Sequence, residues 1–281
     1  NFHVIVDSQR KERYLRDGLY LNGKATDFHY VSEQEITSSY DLLIIATKNN
    51  HLEKILPLVK SCVGEHTTIL SLLNGIDSEE YLGNIVGKEH LLYSFATAID
   101  STRIHNHIDY STEGIIFMGE ENNSRSERIL SIASLFDEAH ITYKIPEDIH
   151  TEMWAKYMVN VSINTVSAIT RANYGNCVDI QSIKDLIIAV QKEVIALAKC
   201  EHIEGLDESY IERYQNIFSS LEKTGKTSML QDIEAKRVSE NRWFCITASR
   251  LSKKHNLPTP LIDTLGQILE GIDQVHERET L

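Results

Sequence analysis

Two short and almost uninterrupted apolar runs, residues 41–47 (DLLIIAT) and 67–73 (TTILSLL), restrict the fold more than any other feature of the chain. A strand with one wet face alternates apolar and polar residues, whereas a run apolar throughout belongs to a parallel strand covered on both faces. Between the two lies a stretch of helical period, 51–63, so the order is strand, helix, strand. Residues 2–6 read as an earlier strand feeding a charged helix, and 78–85 as a further short helix. This alternation predicts an α/β fold with a Rossmann-like, doubly wound and mostly parallel sheet. Shorter strand candidates follow over 91–118, then an amphipathic helix at 125–139 and a strand at 141–145.

Pro146 punctuates the chain, and beyond it the pattern is helical at 150–171, 180–200, 209–222, 228–237, 240–255 and 260–274. Residues 1–147 therefore read as a Rossmann-like dinucleotide-binding domain and 148–281 as an all-helical domain. A domain of the first kind opens with a strand and a Gly-x-Gly-x-x-Gly turn that holds pyrophosphate at a helix N-terminus. The acidic residue that meets the ribose comes about 20 residues later. If Asp7 is that residue, the glycine turn is expected upstream of residue 1, and the dinucleotide domain read here is incomplete at its N-terminus.

The 281 residues carry a formal net charge of −13, which repels phosphate backbones and anionic lipid, so neither a nucleic-acid nor a membrane partner is expected. An anionic small molecule would have to be held by local cations. Cys62, Cys177, Cys200 and Cys245 form no C-x-x-C pair, the histidines are scattered, and no metal site is expected. There is no apolar stretch of membrane-spanning length and no signal-peptide pattern, which makes the cytoplasm the expected compartment.

The segment 152–168, EMWAKYMVNVSINTVSA, holds the most chemistry. Lys156, Asn160 and Asn164 recur every fourth residue and share one helical face. Met153, Trp154, Tyr157, Met158, Val161, Ile163 and Val166 make the rest apolar, which implies a buried helix whose polar groups need partners. Desolvation there would lower a lysine's pKa and suit it to donate a proton to a carbonyl oxygen; the alternative is a snorkelling lysine beside two satisfied asparagines. In TSMLQDIEAKRVSE, residues 227–240, Ser228 with Gln231 reads as a capping box and Ser239 as a cap for the next helix. Ser228 also suits a carboxylate contact at a helix N-terminus. Lys48 and Asn74 follow the two apolar runs, at strand ends where ligands of open α/β sheets gather; a surface lysine and an Asn-Gly turn are the plain alternatives. Asp7 ends a strand, where a carboxylate accepts ribose hydroxyls and repels a 2′-phosphate, favouring NAD, although Arg10, Lys11 and Arg13 follow it.

In order along the chain, A-T-K, L-L-N-G, W154-x-K156-x-x-x-N160-x-x-x-N164 and S228-M-L-Q-D-I-E-A-K-R ending at Glu240 resemble the ketopantoate reductases. The resemblance implies a Rossmann domain followed by a helical one, 148–281, that carries substrate and catalysis. It implies NAD(P)H-dependent reduction of ketopantoate to D-pantoate in pantothenate biosynthesis, in a monomer or homodimer. Lys156 then resembles the general acid and Glu240 the glutamate that orients substrate and lysine. Asn160, Asn164 and Ser228 resemble substrate contacts, and Lys48 and Asn74 residues beside nicotinamide and substrate. The family suggests NADP, while Asp7 favours NAD. Arg242 and Ile246 in ENRWFCI depart from the family's usual acidic residue and glycine, and Thr165 stands where proline is frequent. These departures keep open an NAD-dependent D-2-hydroxy acid dehydrogenase of mandelate type and, from another class, a non-catalytic nucleotide-binding sensor.

Overall fold

The computed structural model describes residues 2–280, apart from the side chain of residue 280, and the chain divides into two compact units. One comprises Asn1–Leu73 with Ser78–Ile149; the other comprises His150–Leu281 together with the four-residue segment Asn74–Asp77. The boundary expected at 147 follows the chain's punctuation. The transfer of Asn74–Asp77 to the helical unit has no counterpart in the sequence pattern.

In the first unit β1 (His3–Ile5) leads through Asp7 into α1 (Ser8–Asp17). Asp7 is the N-cap, its Oδ1 accepting the Arg10 amide at 2.7 Å, which satisfies one of the unpaired donors of the first turn. Two-residue strands β2 (Tyr20–Leu21) and β3 (Lys24–Ala25) come after it, and then β4 (His29–Val31), which pairs in parallel with β1. Next come β5 (Leu42–Ile45), α2 (Leu52–Cys62), β6 (Thr68–Ser71), α3 (Ser78–Val86), β7 (Leu91–Ile104), β8 (His107–Gly119), α4 (Glu127–Glu138) and β9 (Tyr143–Lys144). The main sheet has the order β3-β2-β8-β7-β6-β5, with β9 added on β8.

The ladder β5–β6–β7 is parallel and β7–β8 antiparallel, so the sheet is mixed. Its centre follows from β6, every residue of which is buried. Successive side chains of a strand point to opposite faces. Ile69 accordingly packs with Ile45, Leu52, Val59 and Leu82 under α2 and α3, while Leu70 packs with Leu92, Met118, Ile129 and Phe136 under α4. Burying each such side chain contributes roughly 1.5–3 kcal/mol. Two expectations need correction. The run at 41–47 is not covered on both faces: β5 is the edge of its sheet and Ile44 is 37% exposed. The region 91–118 is one long hairpin rather than several short strands, with a register shift at Asp100/Ser101. A local break of this kind disrupts the ladder without ending the strand.

The second unit contains α5 (Ile149–Val159), a π-helical turn (Asn160–Asn164), α6 (Thr165–Thr170), α7 (Tyr174–Asp179), α8 (Gln181–Cys200), α9 (Ser209–Ser220), α10 (Ser228–Glu234), α11 (Cys245–Lys254) and α12 (Pro260–Thr280). Its core is a cluster running from α5 through α12, including Tyr157, Met158, Val161, Val166, Val190, Val194, Phe244, Ile262 and Leu269. The apolar surround of Lys156 is thus buried, as its composition predicts.

Candidate active site

Lys156 lies in the last turn of α5, half-buried between the buried residues Ala155 and Tyr157. Its ammonium does not snorkel away from the protein: Nζ donates to the Asn74 side-chain oxygen at 2.9 Å. Asn74 in turn donates through Nδ2 to Glu240 Oε2 at 3.0 Å. A cation and a carboxylate are thereby joined through one amide that uses its acceptor on the first and its donor on the second. An asparagine side chain does not take up a proton, so the two charged groups keep their places while an acceptor approaches the ammonium.

Each member is held by its own surroundings. Gly75 has φ +103°, a conformation that L side chains rarely adopt, and its backbone lies so near Trp243 that an added Cβ would stand 3.4 Å from the Trp243 carbonyl oxygen. Glu240 is 8% exposed and precedes a 3-10 turn, Asn241–Trp243. The helix expected over 240–255 begins only at Cys245, so the glutamate sits on the turn before it. The turn is pinned on three sides. The Ser239 amide and hydroxyl donate to the Asp273 carboxylate at 3.0 and 2.6 Å. Asn241 donates to the Gly266 carbonyl at 2.9 Å, and Tyr157 donates its hydroxyl to the Phe244 carbonyl at 2.7 Å. Complete burial pushes the Tyr157 phenol well above its usual range, so it stays a donor. Ser239 does not cap the next helix: Glu240 holds the N-cap position of the 3-10 turn and Phe244 that of α11, while the Ser239 hydroxyl oxygen accepts the Asn241 amide at 3.2 Å.

Asn160 and Asn164 are brought together at the two ends of the π turn, where Asn164 Nδ2 donates to Asn160 Oδ1 at 3.2 Å. The pattern read as one continuous helix is therefore interrupted. Ser162 bonds back to the Met158 carbonyl at 2.6 Å, a contact that competes with the helical ladder. Single π turns recur at functional sites. Asn160 is 5% exposed, and its Nδ2 is a buried donor with no acceptor among the described residues.

Ser228 is exposed at the first position of α10, and the cap is its neighbour. Thr227 accepts the Leu230 amide at 3.2 Å and donates to Ser167 at 3.1 Å, while Gln231 turns back to the Lys226 carbonyl. The capping box read from Ser228 and Gln231 is thus displaced by one residue, because threonine and serine cap alike and their order alone does not choose. Asp7 and Lys48 belong to the sheet unit: Asp7 as the 63% exposed cap of α1, Lys48 exposed just beyond β5. Of the flanking departures, the Arg242 guanidinium lies over the Trp243 ring at 5.3 Å, and Ile246 is 40% exposed. Sequence reasoning overlooked Asp77, Thr247, Tyr157 and Asp273. Only Tyr157 carried a signal, as an aromatic beside the lysine, and it was read as core.

Among the described residues no group of three or more His, Cys, Asp or Glu is disposed to hold a metal ion, and no helix is long and apolar enough to cross a membrane.

The chain matches the family model described as ketopantoate reductase PanE/ApbA over residues 1–123 and its C-terminal counterpart over 148–273. It is 27% identical over 277 residues to a 2-dehydropantoate 2-reductase of Lactococcus lactis, covering 96% of this chain and 86% of that one. Among solved structures, a D-mandelate dehydrogenase bound to NADH and anilino(oxo)acetate superposes with a TM-score of 0.87 at 22% identity, over 98% of this chain and 91% of the other. A dimeric ketopantoate reductase of Staphylococcus aureus gives 0.79 at 20% identity, over 92% and 86%. The class is that of NAD(P)H-dependent oxidoreductases built from an α/β unit and a helical unit. Within it, the chain belongs to the ketopantoate reductase family.

Proposed function

We infer that the protein reduces a small branched 2-oxo acid, 2-dehydropantoate to D-pantoate, with Lys156 as general acid. The observation that carries this reading is the Lys156–Asn74–Glu240 chain of hydrogen bonds. NAD(P)H, when bound, supplies the hydride to C2 of the oxo acid. Lys156 hands its Nζ proton to the C2 oxygen as charge develops there, a role worth about 10²–10⁴ in rate. Its remaining positive character at that oxygen adds electrostatic stabilisation. Glu240 and Asn74 fix the ammonium, Asn160 Nδ2 and Asn164 meet the substrate's hydroxyl and carbonyl oxygens, and Ser228 meets its carboxylate. Fixed amides of this kind align the carbonyl for transfer.

Asp7 and Lys48 are the residues we assign to the cofactor. The Asp7 carboxylate follows β1 and stays open to solvent while one oxygen caps α1, with the Arg10 guanidinium 3.7 Å from the other. A carboxylate in that position suits ribose hydroxyls and opposes a 2′-phosphate, so NADH is the expected reductant.

A second reading, an NAD-dependent dehydrogenase for an aromatic D-2-hydroxy acid, is favoured by the Arg242–Trp243 stack two residues beyond Glu240, a cationic and aromatic surface suited to a bulkier acid. Oxidation of NADH and NADPH with ketopantoate and with phenylglyoxylate, for the wild type and Lys156→Ala, tests both. Preference for ketopantoate and a fall of about a hundredfold in the variant support the first reading. Preference for phenylglyoxylate selects the second. Absence of turnover with either acid and either nucleotide rejects both, turning the search first to other 2-oxo acids and then to a non-catalytic nucleotide-binding sensor.

A further inference from the structure

The segment Asn74–Asp77 interrupts the sheet unit in sequence yet packs as part of the helical one. Three consecutive residues account for its attachment. Gly75 passes close to the Trp243 backbone, Ile76 packs on the helical core, and Asp77 is bound from α11. Asp77 immediately precedes α3, where an aspartate would ordinarily cap the helix. Its carboxylate is used otherwise: Oδ2 accepts the Thr247 hydroxyl at 2.9 Å and Arg250 Nη2 at 3.2 Å. Thr247 is 5% exposed, and its hydroxyl also lies 3.2 Å from the carbonyl of Arg242, two residues past Glu240. One buried hydroxyl therefore touches both the segment that carries Asn74 and the turn that carries Glu240.

We propose that Asp77 and Thr247 are positioning residues for the Lys156–Asn74–Glu240 chain, holding the Asn74 amide between ammonium and carboxylate without touching the reacting atoms. The proposal rests on the reading of Lys156 as the proton donor. Arg250, whose side chain is 61% exposed, adds a weaker, screened contact to the same oxygen. The buried hydroxyl, which has two acceptors within reach and one proton, is the discriminating contact: donation to the Asp77 carboxylate is charge-assisted and the stronger of the two. With Asp77 neutralised or removed, the Thr247 proton turns to the Arg242 carbonyl, and the link from α11 to the Asn74 segment is lost while the turn remains tied.

The test is a double-mutant cycle on the full chain. Asp77→Ala and Thr247→Val are each made in the wild type and in Asn74→Ala, and kcat and KM for the oxo acid are measured. Positioning through Asn74 predicts that each variant lowers kcat by about tenfold in the wild type, within the range for a misplaced reacting group, and by less than about twofold once Asn74 is alanine. Losses that multiply in the Asn74→Ala background overturn the proposal, as does an unchanged kcat in both single variants. Thr247→Val preserves volume and keeps the test available if Asp77→Ala does not fold.

A readout independent of turnover is the ¹³C resonance of reductively methylated Lys156, identified by its loss in Lys156→Arg. Asp77→Ala and Thr247→Val should shift it in the direction of Asn74→Ala and add nothing in that background. An unmoved resonance overturns the proposal even in an active enzyme. Absence of turnover in the wild type with a shifted resonance instead rejects the assigned reaction and retains the positioning.

Discussion

Lys156 and Asn74 stand 82 residues apart in sequence and meet through Nζ and Oδ1 at 2.9 Å, with the same asparagine donating its other end to Glu240 at 3.0 Å. The amide bonds to an ammonium through its oxygen and to a carboxylate through its nitrogen. Replacing it by Asn74→Asp puts a second carboxylate oxygen at hydrogen-bond distance from Glu240. Two carboxylates so close cannot both ionise, and one is forced to hold a proton at a raised pKa. The kcat–pH profile of Asn74→Asp should therefore acquire an ionisation above the ordinary carboxylate range that the wild type lacks. Asn74→Ala should lower kcat by about 10–100-fold without it. Superimposable profiles for wild type and Asn74→Asp would show that the carboxylate and the amide do not meet in the working enzyme.

Gly75 separates effects of strain from effects of site geometry. Both Gly75 (φ +103°) and Gly23 (φ +75°) adopt conformations that favour glycine, but an added Cβ at Gly23 meets nothing within 4 Å, whereas at Gly75 it approaches the Trp243 carbonyl. Alanine at either should cost about 1–3 kcal/mol in urea unfolding. Only Gly75→Ala should also reduce kcat, because the Asn74 amide is next to it. Equal loss of activity in Gly23→Ala would mean that global stability, not the asparagine, sets the rate.

The parts of this architecture that local physics dictates were legible in the sequence. The runs LLII and TILS are strands because short, mostly apolar runs rich in β-branched residues find cover in a sheet, and the apolar surround of Lys156 allows only a buried helix. What depends on contacts between distant residues was not. β5 became a half-covered edge, since an apolar run reports a need for cover and not who supplies it. The π turn was invisible because residues four apart, Asn160 and Asn164, satisfy a helical pattern with or without the extra residue. Asn74 was legible as a polar group at a strand end, but its membership of the helical unit depends on Ile76 packing on the helical core and on Asp77 finding Thr247, 170 positions away. The cap at α10 was missed by one residue, Thr227 in place of Ser228, since both side chains are chemically able to fill the role.

Asn160 should behave as a residue kept for function at the expense of stability. Its buried Nδ2 has no acceptor among the described residues, a circumstance that costs about 1–3 kcal/mol of desolvation, offset in part by the bond its oxygen accepts from Asn164. Asn160→Ala should therefore change the unfolding free energy by less than about 1 kcal/mol despite deep burial, because the lost packing is balanced by the lost penalty. Over the same substitution kcat/KM should fall by at least about tenfold. A large loss of stability with activity retained would make Asn160 a framework residue.

The four cysteines should differ sharply in reactivity. Burial pushes the Cys177 thiol up to about 11 and Cys245 to about 12, and raises Cys62 to a lesser degree, whereas Cys200 is half-buried at the end of α8. Because the thiolate is the nucleophile, titration with a disulfide reagent at mildly alkaline pH should show one fast thiol in the native protein and the remaining three only after denaturation. Cys200→Ser should abolish the fast phase. A fast phase that survives it would show that one of the buried thiols opens to solvent.

Acid sensitivity in the sheet unit should trace to Glu120 and Arg128. The Glu120 carboxylate, 8% exposed, accepts from Arg128 Nε at 2.7 Å and from the Ser126 hydroxyl, while Arg128 also reaches the Leu91 carbonyl at 3.0 Å. The Arg128 guanidinium holds the Glu120 carboxyl below its ordinary value of 4.5. A folded-state value lowered in this way contributes stability that is complete above the unfolded value and disappears as pH falls through the folded one. Removing one partner of a fully buried pair costs about 3–5 kcal/mol; since the Arg128 side chain is 31% exposed and screened, about 2 kcal/mol is expected for Arg128→Ala at pH 7. The gap between wild type and variant should narrow as pH drops below 4.5, because a protonated Glu120 leaves no buried charge unpaired, and it should stop short of closing because the bond to Leu91 is gone as well. Urea unfolding of both proteins from pH 7 downward measures the gap directly. A gap that stays constant across that range would assign the whole effect of Arg128 to its bonds with the backbone and none to the ion pair.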